Sequence, residues 1–194
     1  MRRLVAEAQL STDDLIAPLF VREGIDDPEP IASLPGVVQH TRASLLTEVR
    51  QLRDLGVNGV ILFGVPVHKD AEGSQAWHPD GIVQVALRDL RAEIGDDIVL
   101  MADLCVDEYT DHGHCGVVGD DGHVDNDATI EIYSRIAVAQ ADAGAHVVAP
   151  SGMMDGQVAS IRAGLEVSVH GEVPILAYSA NYASGLYGPF RDAV

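Results

Sequence analysis

Ser44-Leu45-Leu46-Thr47-Glu48-Val49-Arg50-Gln51-Leu52-Arg53-Asp54-Leu55-Gly56-Val57-Asn58-Gly59-Val60-Ile61-Leu62-Phe63 contains the unit from which this chain is built. Its first part puts Leu45, Leu46, Val49, Leu52 and Leu55 on one face of a helix, at the 3.6-residue period. Gly56 then supplies the left-handed residue that commonly ends a helix. The run from Val57 to Phe63 is largely apolar and does not alternate. It predicts a strand covered on both faces, as in a parallel sheet.

The unit recurs on both sides of this stretch. Further strands are expected at Leu15–Val21, Ile98–Leu104, His146–Ala149 and Pro174–Tyr178. Helices are expected at Asp80–Ile94, with Val83, Leu87, Leu90 and Ile94 inward, and at Asn126–Ala143, with Asp127 as N-cap and Ile130, Ile136 and Val138 inward. A last helix, Asp155–Leu165, carries Val158, Ile161 and Leu165. Gly95 and Gly144 repeat the part of Gly56. Repeated β-then-α units mean a parallel sheet with right-handed crossovers.

A doubly wound sheet and a barrel both fit this pattern. The absence of GxGxxG after the first strand, and of a Walker motif, weighs against a nucleotide-binding sheet. Five strands and four helices fall short of the eight of a closed barrel, which takes about 250 residues. The fold expected is α/β, one incomplete domain over residues 1–194. Such a piece would expose two strand edges and part of an apolar inner face, and so associate through them.

The net charge is −18, from 30 acidic and 12 basic residues. That argues against nucleic acid and anionic membranes as partners. The longest apolar runs are well short of a membrane span, and the N-terminus has no secretory h-region, so a cytoplasmic location is expected. Lys69 is the single lysine; every other basic residue is arginine. Its plain reading is a surface or loop cation, and the plain reading of Trp77 is packing.

The polar and Gly-rich segments follow the strands, where ligand sites sit in both architectures. The densest chemistry is Asp103-Leu104-Cys105-Val106-Asp107-Glu108-Tyr109-Thr110-Asp111-His112-Gly113-His114-Cys115-Gly116. Cys105 and Asp107 are two apart, so in an extended strand end they would point the same way. Cys115 could return to them through the turn at Gly113. Thiolates select zinc over magnesium, zinc also accepts a carboxylate oxygen, and three protein ligands leave a position open. The same spacing also fits two inert buried thiols and two exposed loop histidines.

This segment resembles the metal loop of the porphobilinogen synthases (5-aminolevulinate dehydratases). The resemblance extends along the chain through Pro18-Leu19-Phe20-Val21-Arg22-Glu23-Gly24, Phe63-Gly64-Val65-Pro66 and Asp125-Asn126-Asp127-Ala128-Thr129. It continues through Ala149-Pro150-Ser151-Gly152-Met153-Met154-Asp155-Gly156-Gln157, Tyr178-Ser179-Ala180 and Tyr187-Gly188-Pro189-Phe190-Arg191. It implies a (β/α)8 TIM barrel, here incomplete. It also implies condensation of two 5-aminolevulinates in tetrapyrrole and heme biosynthesis, by a lyase that forms homo-oligomers.

In the zinc-dependent members of that family three cysteines occupy the places of Cys105, Asp107 and Cys115. In the magnesium-dependent members carboxylates are among their replacements. This sequence is mixed, so zinc is expected and magnesium is the alternative. Asp103, Ser151 and Ser179 resemble residues near the substrate, and Arg191 an arginine that holds a substrate carboxylate. Simple strand-end capping and a surface ion pair are the plainer readings of those four. The family holds its substrates as Schiff bases on two lysines. Asn181 stands in the place of one, and the other belongs to a later strand. Asparagine forms no imine with a ketone, so the chain is expected to be inactive alone. A catalytically dead homologue that binds a small carboxylate or a metal, and a different zinc-assisted lyase, are the alternatives.

Overall fold

The apolar runs of the sequence come together in a single sheet. In chain order the elements are β1 (Ile16–Arg22), β2 (Glu29–Pro30), β3 (Val38–His40), α1 (Arg42–Asp54), β4 (Gly59–Val65), α2 (Ile82–Ile94), β5 (Val99–Leu104), α3 (Asn126–Asp142), β6 (Val147–Pro150) and α4 (Gln157–Val167). This is a computed structural model that describes residues 2–179, 188 and 193–194. The strand order is β2-β3-β1-β4-β5-β6, and all neighbours are parallel except β2 and β3. The four long strands thus follow one another in the sheet as they do in the chain.

The alternation of side chains along each strand separates two faces. Leu19 and Val21 of β1, Val60 and Leu62 of β4, and Leu100 and Ala102 of β5 pack outward with Leu45, Val49, Leu87 and Leu90 of α1 and α2. Val148 of β6 packs with Ile136 of α3 and Ile161 and Leu165 of α4. Phe20, Ile61, Phe63 and Ala149 point the other way, into a separate inner cluster. Phe20 and Phe63 stack there with centroids 5.2 Å apart. All four helices therefore lie on one face of the sheet. A doubly wound sheet would carry them on both, so this is the winding of a barrel.

The strands expected at Leu15–Val21, Val57–Phe63, Ile98–Leu104 and His146–Ala149 are β1, β4, β5 and β6, shifted slightly at their ends. The expected fifth, Pro174–Tyr178, runs alongside β6 with a single parallel bridge, Val148 to Ile175. Its backbone bonds continue the ladder: Val148 N–H to Pro174 C=O, 3.1 Å, Leu176 N–H to Val148 C=O, 2.9 Å, and Tyr178 N–H to Pro150 C=O, 3.1 Å. β2 and β3 were not expected, because neither has an apolar run to announce it. Gln39 and His40 of β3 pair with Phe20 and Val21, so the β1 edge is partly covered and not bare.

The helices differ from expectation mainly at their ends. α1 starts earlier, at Arg42, because the Thr41 side chain accepts from Ser44 N–H as N-cap. Leu55 is 72% exposed: it is the C-cap, beyond the last turn that faces the sheet. Asp125, not Asp127, caps α3, accepting from Ala128 N–H. The inward face of α3 is Thr129, Ile132, Tyr133, Ile136, Ala137, Gln140 and Ala141, so of the three residues expected there only Ile136 is buried. On α4, Ile161 and Leu165 are buried but Val158 is exposed. Gly56, Gly95 and Gly144 have φ of 84°, 56° and 99°, which ends the three helices as expected.

Candidate metal centre and active site

β5 ends at Leu104, and the chain beyond it does not continue as an extended strand end. Tyr109 N–H and Thr110 N–H both reach Val106 C=O, at 2.9 and 2.8 Å, so the backbone turns sharply there. Cys105 and Asp107 approach each other through that turn. Cys115 returns from the far side of the loop, as expected. The three ligand atoms, two Sγ and a carboxylate oxygen, all lie within 4.8 Å of one another. Two sulfurs on a tetrahedral zinc are about 3.8 Å apart, so small side-chain rotations close the set. Among the described residues it is the one group of this kind. His112 and His114 are exposed, lie tilted against each other with centroids 5.4 Å apart, and stand outside it.

The donors suit a thiophilic divalent cation better than magnesium, since two of three are sulfur. The acids and thiols gathered here disfavour one another's charged forms. The hydrogen bond with Cys115, and then burial, hold the Cys105 thiol well above its usual range. Burial, and then the charges of Asp103 and Asp107, push the Glu108 carboxyl well up, while Lys69 opposes them. A cation would reverse these shifts by supplying the missing positive charge.

Asp103 lies at the end of β5, just before the thiols, and is 3% exposed. Ser151, just after β6, donates to its Oδ2 at 2.9 Å. Burial and then the Asp107 charge push the Asp103 carboxyl up to about 8, against hydrogen bonds from Ser151 and Tyr178. Its Oδ1 is buried and has no partner among the described residues. An acid held so can keep its proton near neutral pH. Gln140 of α3 grips the Asp103 backbone carbonyl at 2.6 Å, which fixes the strand end.

Of the other residues singled out from sequence, Ser179 is exposed next to Tyr178. Asn181 and Arg191 lie outside the described residues. Sequence reasoning did not single out Glu108, Tyr133 or Gln140. Glu108 is one acid among many in the sequence, and nothing local marks it as 2% exposed. Tyr133 and Gln140 could have been found from their i, i+7 spacing on one helix face, had that face been read in the right phase. Trp77 packs against the cluster under α3 and α4, as expected, and Arg135 lies over its ring at 4.3 Å, in a groove of about 840 Å³ lined by α3 and α4.

The chain matches the family model "Delta-aminolevulinic acid dehydratase" over residues 1–194. It is 59% identical over 196 residues to the delta-aminolevulinic acid dehydratase of Streptomyces coelicolor, covering 100% of this chain and 59% of that protein. It is likewise 59% identical to that of Mycobacterium tuberculosis, covering 60% of it. Among solved structures it is similar to the Toxoplasma gondii enzyme in complex with its reaction product porphobilinogen. There the TM-score is 0.95 at 38% identity, covering 99% of this chain and 55% of that one. The chain thus spans about three fifths of the curated relatives it matches. No helix among the described residues is long and apolar enough to cross a membrane. The β-then-α winding, the strand-end thiols and these likenesses agree, and the chain belongs to the delta-aminolevulinic acid dehydratase family, as an incomplete (β/α)8 barrel.

Proposed function

We propose that the strand-end site is that of a porphobilinogen synthase, taking 5-aminolevulinate or a similar small keto acid. The observation that carries the reading is the convergence of Cys105, Asp107 and Cys115 beside the buried Asp103–Ser151 pair. Those three residues would hold zinc, with magnesium the alternative; when bound, the ion supplies Lewis-acid polarisation of a substrate oxygen. Asp103 keeps or delivers a proton at its carboxyl, and the hydroxyls of Ser151 and Ser179 orient the ligand. Arg191 pairs with the substrate carboxylate.

Asn181 limits what this chain does by itself. Its amide nitrogen is not nucleophilic, and Schiff-base chemistry needs an amine. Lys69 is the single lysine, on the loop after β4, where it faces Glu108 electrostatically. The chain therefore binds and orients, and does not turn over. Association through the barrel edges, with further copies or other chains, would complete the wall of the barrel, and a cytoplasmic location fits this chemistry.

The test is incubation of the purified 194-residue chain with zinc and 5-aminolevulinate, followed by assay for porphobilinogen and borohydride trapping. No product and no adduct at residue 181 are expected. Porphobilinogen from this chain alone would overturn the reading of Asn181. A second reading, a catalytically silent homologue that binds a small carboxylate, is favoured by Asn181 itself. It predicts 5-aminolevulinate binding with no adduct even in Asn181→Lys, where the first reading predicts one.

A further inference from the structure

Behind the thiols stands a side chain that the proposed chemistry does not use. Tyr133 lies in the middle of α3 and is 0% exposed. Its hydroxyl donates to the Cys115 backbone carbonyl at 2.5 Å. The same oxygen lies 3.4 Å from Cys105 Sγ. Its ring also meets the turn after Ser151. A Cβ at Gly152 would collide with the Tyr133 hydroxyl and come within 2.7 Å of two ring carbons. One phenol thus touches both thiol-bearing ends of the loop and the backbone next to Ser151, and Gly152 is bare where the ring needs room.

We infer that Tyr133 is a positioning residue for the Cys105–Cys115 pair, setting the separation of the two sulfurs from a rigid helix. This rests on the metal reading above, and deepens it. A phenol has one proton to give. Given to the Cys115 carbonyl, it pins the returning end of the loop, while the same oxygen sits in contact with Cys105 Sγ at 3.4 Å and limits how far that sulfur can move. The loop between the two cysteines is held at Thr110, which donates to the His114 carbonyl at 3.1 Å, and at Asp111, whose N–H reaches the Asp70 carbonyl at 3.1 Å, but it is the Tyr133 hydroxyl that meets both cysteines at once. Tyr133 itself touches neither substrate nor ion. It acts through the backbone of one ligand and the sulfur of the other, as outer-shell partners of metal sites do.

Tyr133→Phe keeps the ring and removes the hydroxyl. The full chain and the variant are titrated with cobalt(II), reading the sulfur-to-cobalt charge-transfer absorbance, with circular dichroism as the check on folding. The variant should bind cobalt about 10–100-fold more weakly, with a weaker thiolate band per cobalt bound. A side chain that only fills the core would leave the band unchanged. Gly152→Ala, which keeps the phenol but crowds it, should shift affinity in the same direction. It decides the matter if Tyr133→Phe lowers the folded fraction. A wild-type chain without a thiolate–cobalt band overturns the metal reading and this inference together. A wild-type band that the folded variants match in affinity and intensity overturns this inference alone.

Discussion

The layer under α1 and α2 and the layer under α3 are built on the same sheet to different specifications. Under α1 and α2 the apolar contacts are Leu, Val, Ile and Ala, and the buried polar side chain is Gln84, at the start of α2, which donates to the Ala76 carbonyl at 2.7 Å. The two helices are tied to each other outside by exposed ion pairs, Arg42–Asp89 at 2.7 Å and Arg53–Asp97 near α2 at 3.5 Å. Such pairs contribute little, about 0–1 kcal/mol each. Under α3 the buried surface includes Thr129, Tyr133, Gln140, Cys105 and Tyr109. Among the described residues the unpaired buried side-chain oxygens are those of Gln140 on α3, of Asp103 and Glu108 at and beyond the end of β5, and of Gln84 at the start of α2. Each polar atom left so costs about 1–3 kcal/mol. The first layer thus supplies stability, while the second gives some of it up to hold a site in place.

A cavity in the dry layer should produce the largest change. Leu62 is 0% exposed and sits between β1 and β5 under both helices. Leu62→Ala should cost about 2–5 kcal/mol in denaturant unfolding. Cobalt or zinc affinity of the folded fraction should stay the same. Coupled loss of both would break the separation between the layers.

Removing a ligand should do the reverse. Cys115→Ala should take zinc stoichiometry in equilibrium dialysis from about one per chain to near zero, a loss of at least about 100-fold in affinity. The stability of the metal-free chain should change by no more than about 1 kcal/mol, because Cys115 is only partly buried. Unchanged zinc stoichiometry would remove Cys115 from the site.

Legibility in the sequence divides along the same line. The dry layer announces itself, since continuous runs such as Val57–Phe63 and a regular spacing such as Val83, Leu87, Leu90 and Ile94 have one physical reading. The α3 layer does not. Its inward face mixes Thr129, Tyr133 and Gln140 with apolar residues, so the apolar period pointed to Ile130 and Val138 instead. Capping was displaced by two residues because Asp125 and Asp127 are equally good N-caps by residue type. The ligand trio was legible from residue chemistry, but its geometry was not. Cys105 and Asp107 meet through a turn closed on Val106 C=O, which no periodicity signals. β2 and β3 were illegible because they are short and have no apolar run, and β3 joins β1 through the ladder and a side-chain bond from Arg22 to Gln39, 2.8 Å, which no periodicity signals.

The smallest effect expected is on pH dependence, and it bears on the dry side. His40, on β3, is lowered below 6.5 by burial, with Glu48 opposing. The folded chain then binds this proton less readily than the unfolded chain. The contribution of His40 is fully present above about pH 6.5 and is lost as the pH falls through the lowered folded value. His40→Asn should therefore lose less stability than wild type between about pH 7.5 and pH 5.5 in urea titrations. An identical slope would mean that His40 is not held neutral.

The most direct test of the division is the coordination of the ion itself. X-ray absorption of the zinc-loaded chain should show two sulfur neighbours at about 2.3 Å and oxygen at about 2.0–2.2 Å. That is the shell of Cys105, Cys115 and Asp107 on the polar side of the sheet. A shell of nitrogen and oxygen only would place the ion on exposed histidines and carboxylates, and would contradict the account.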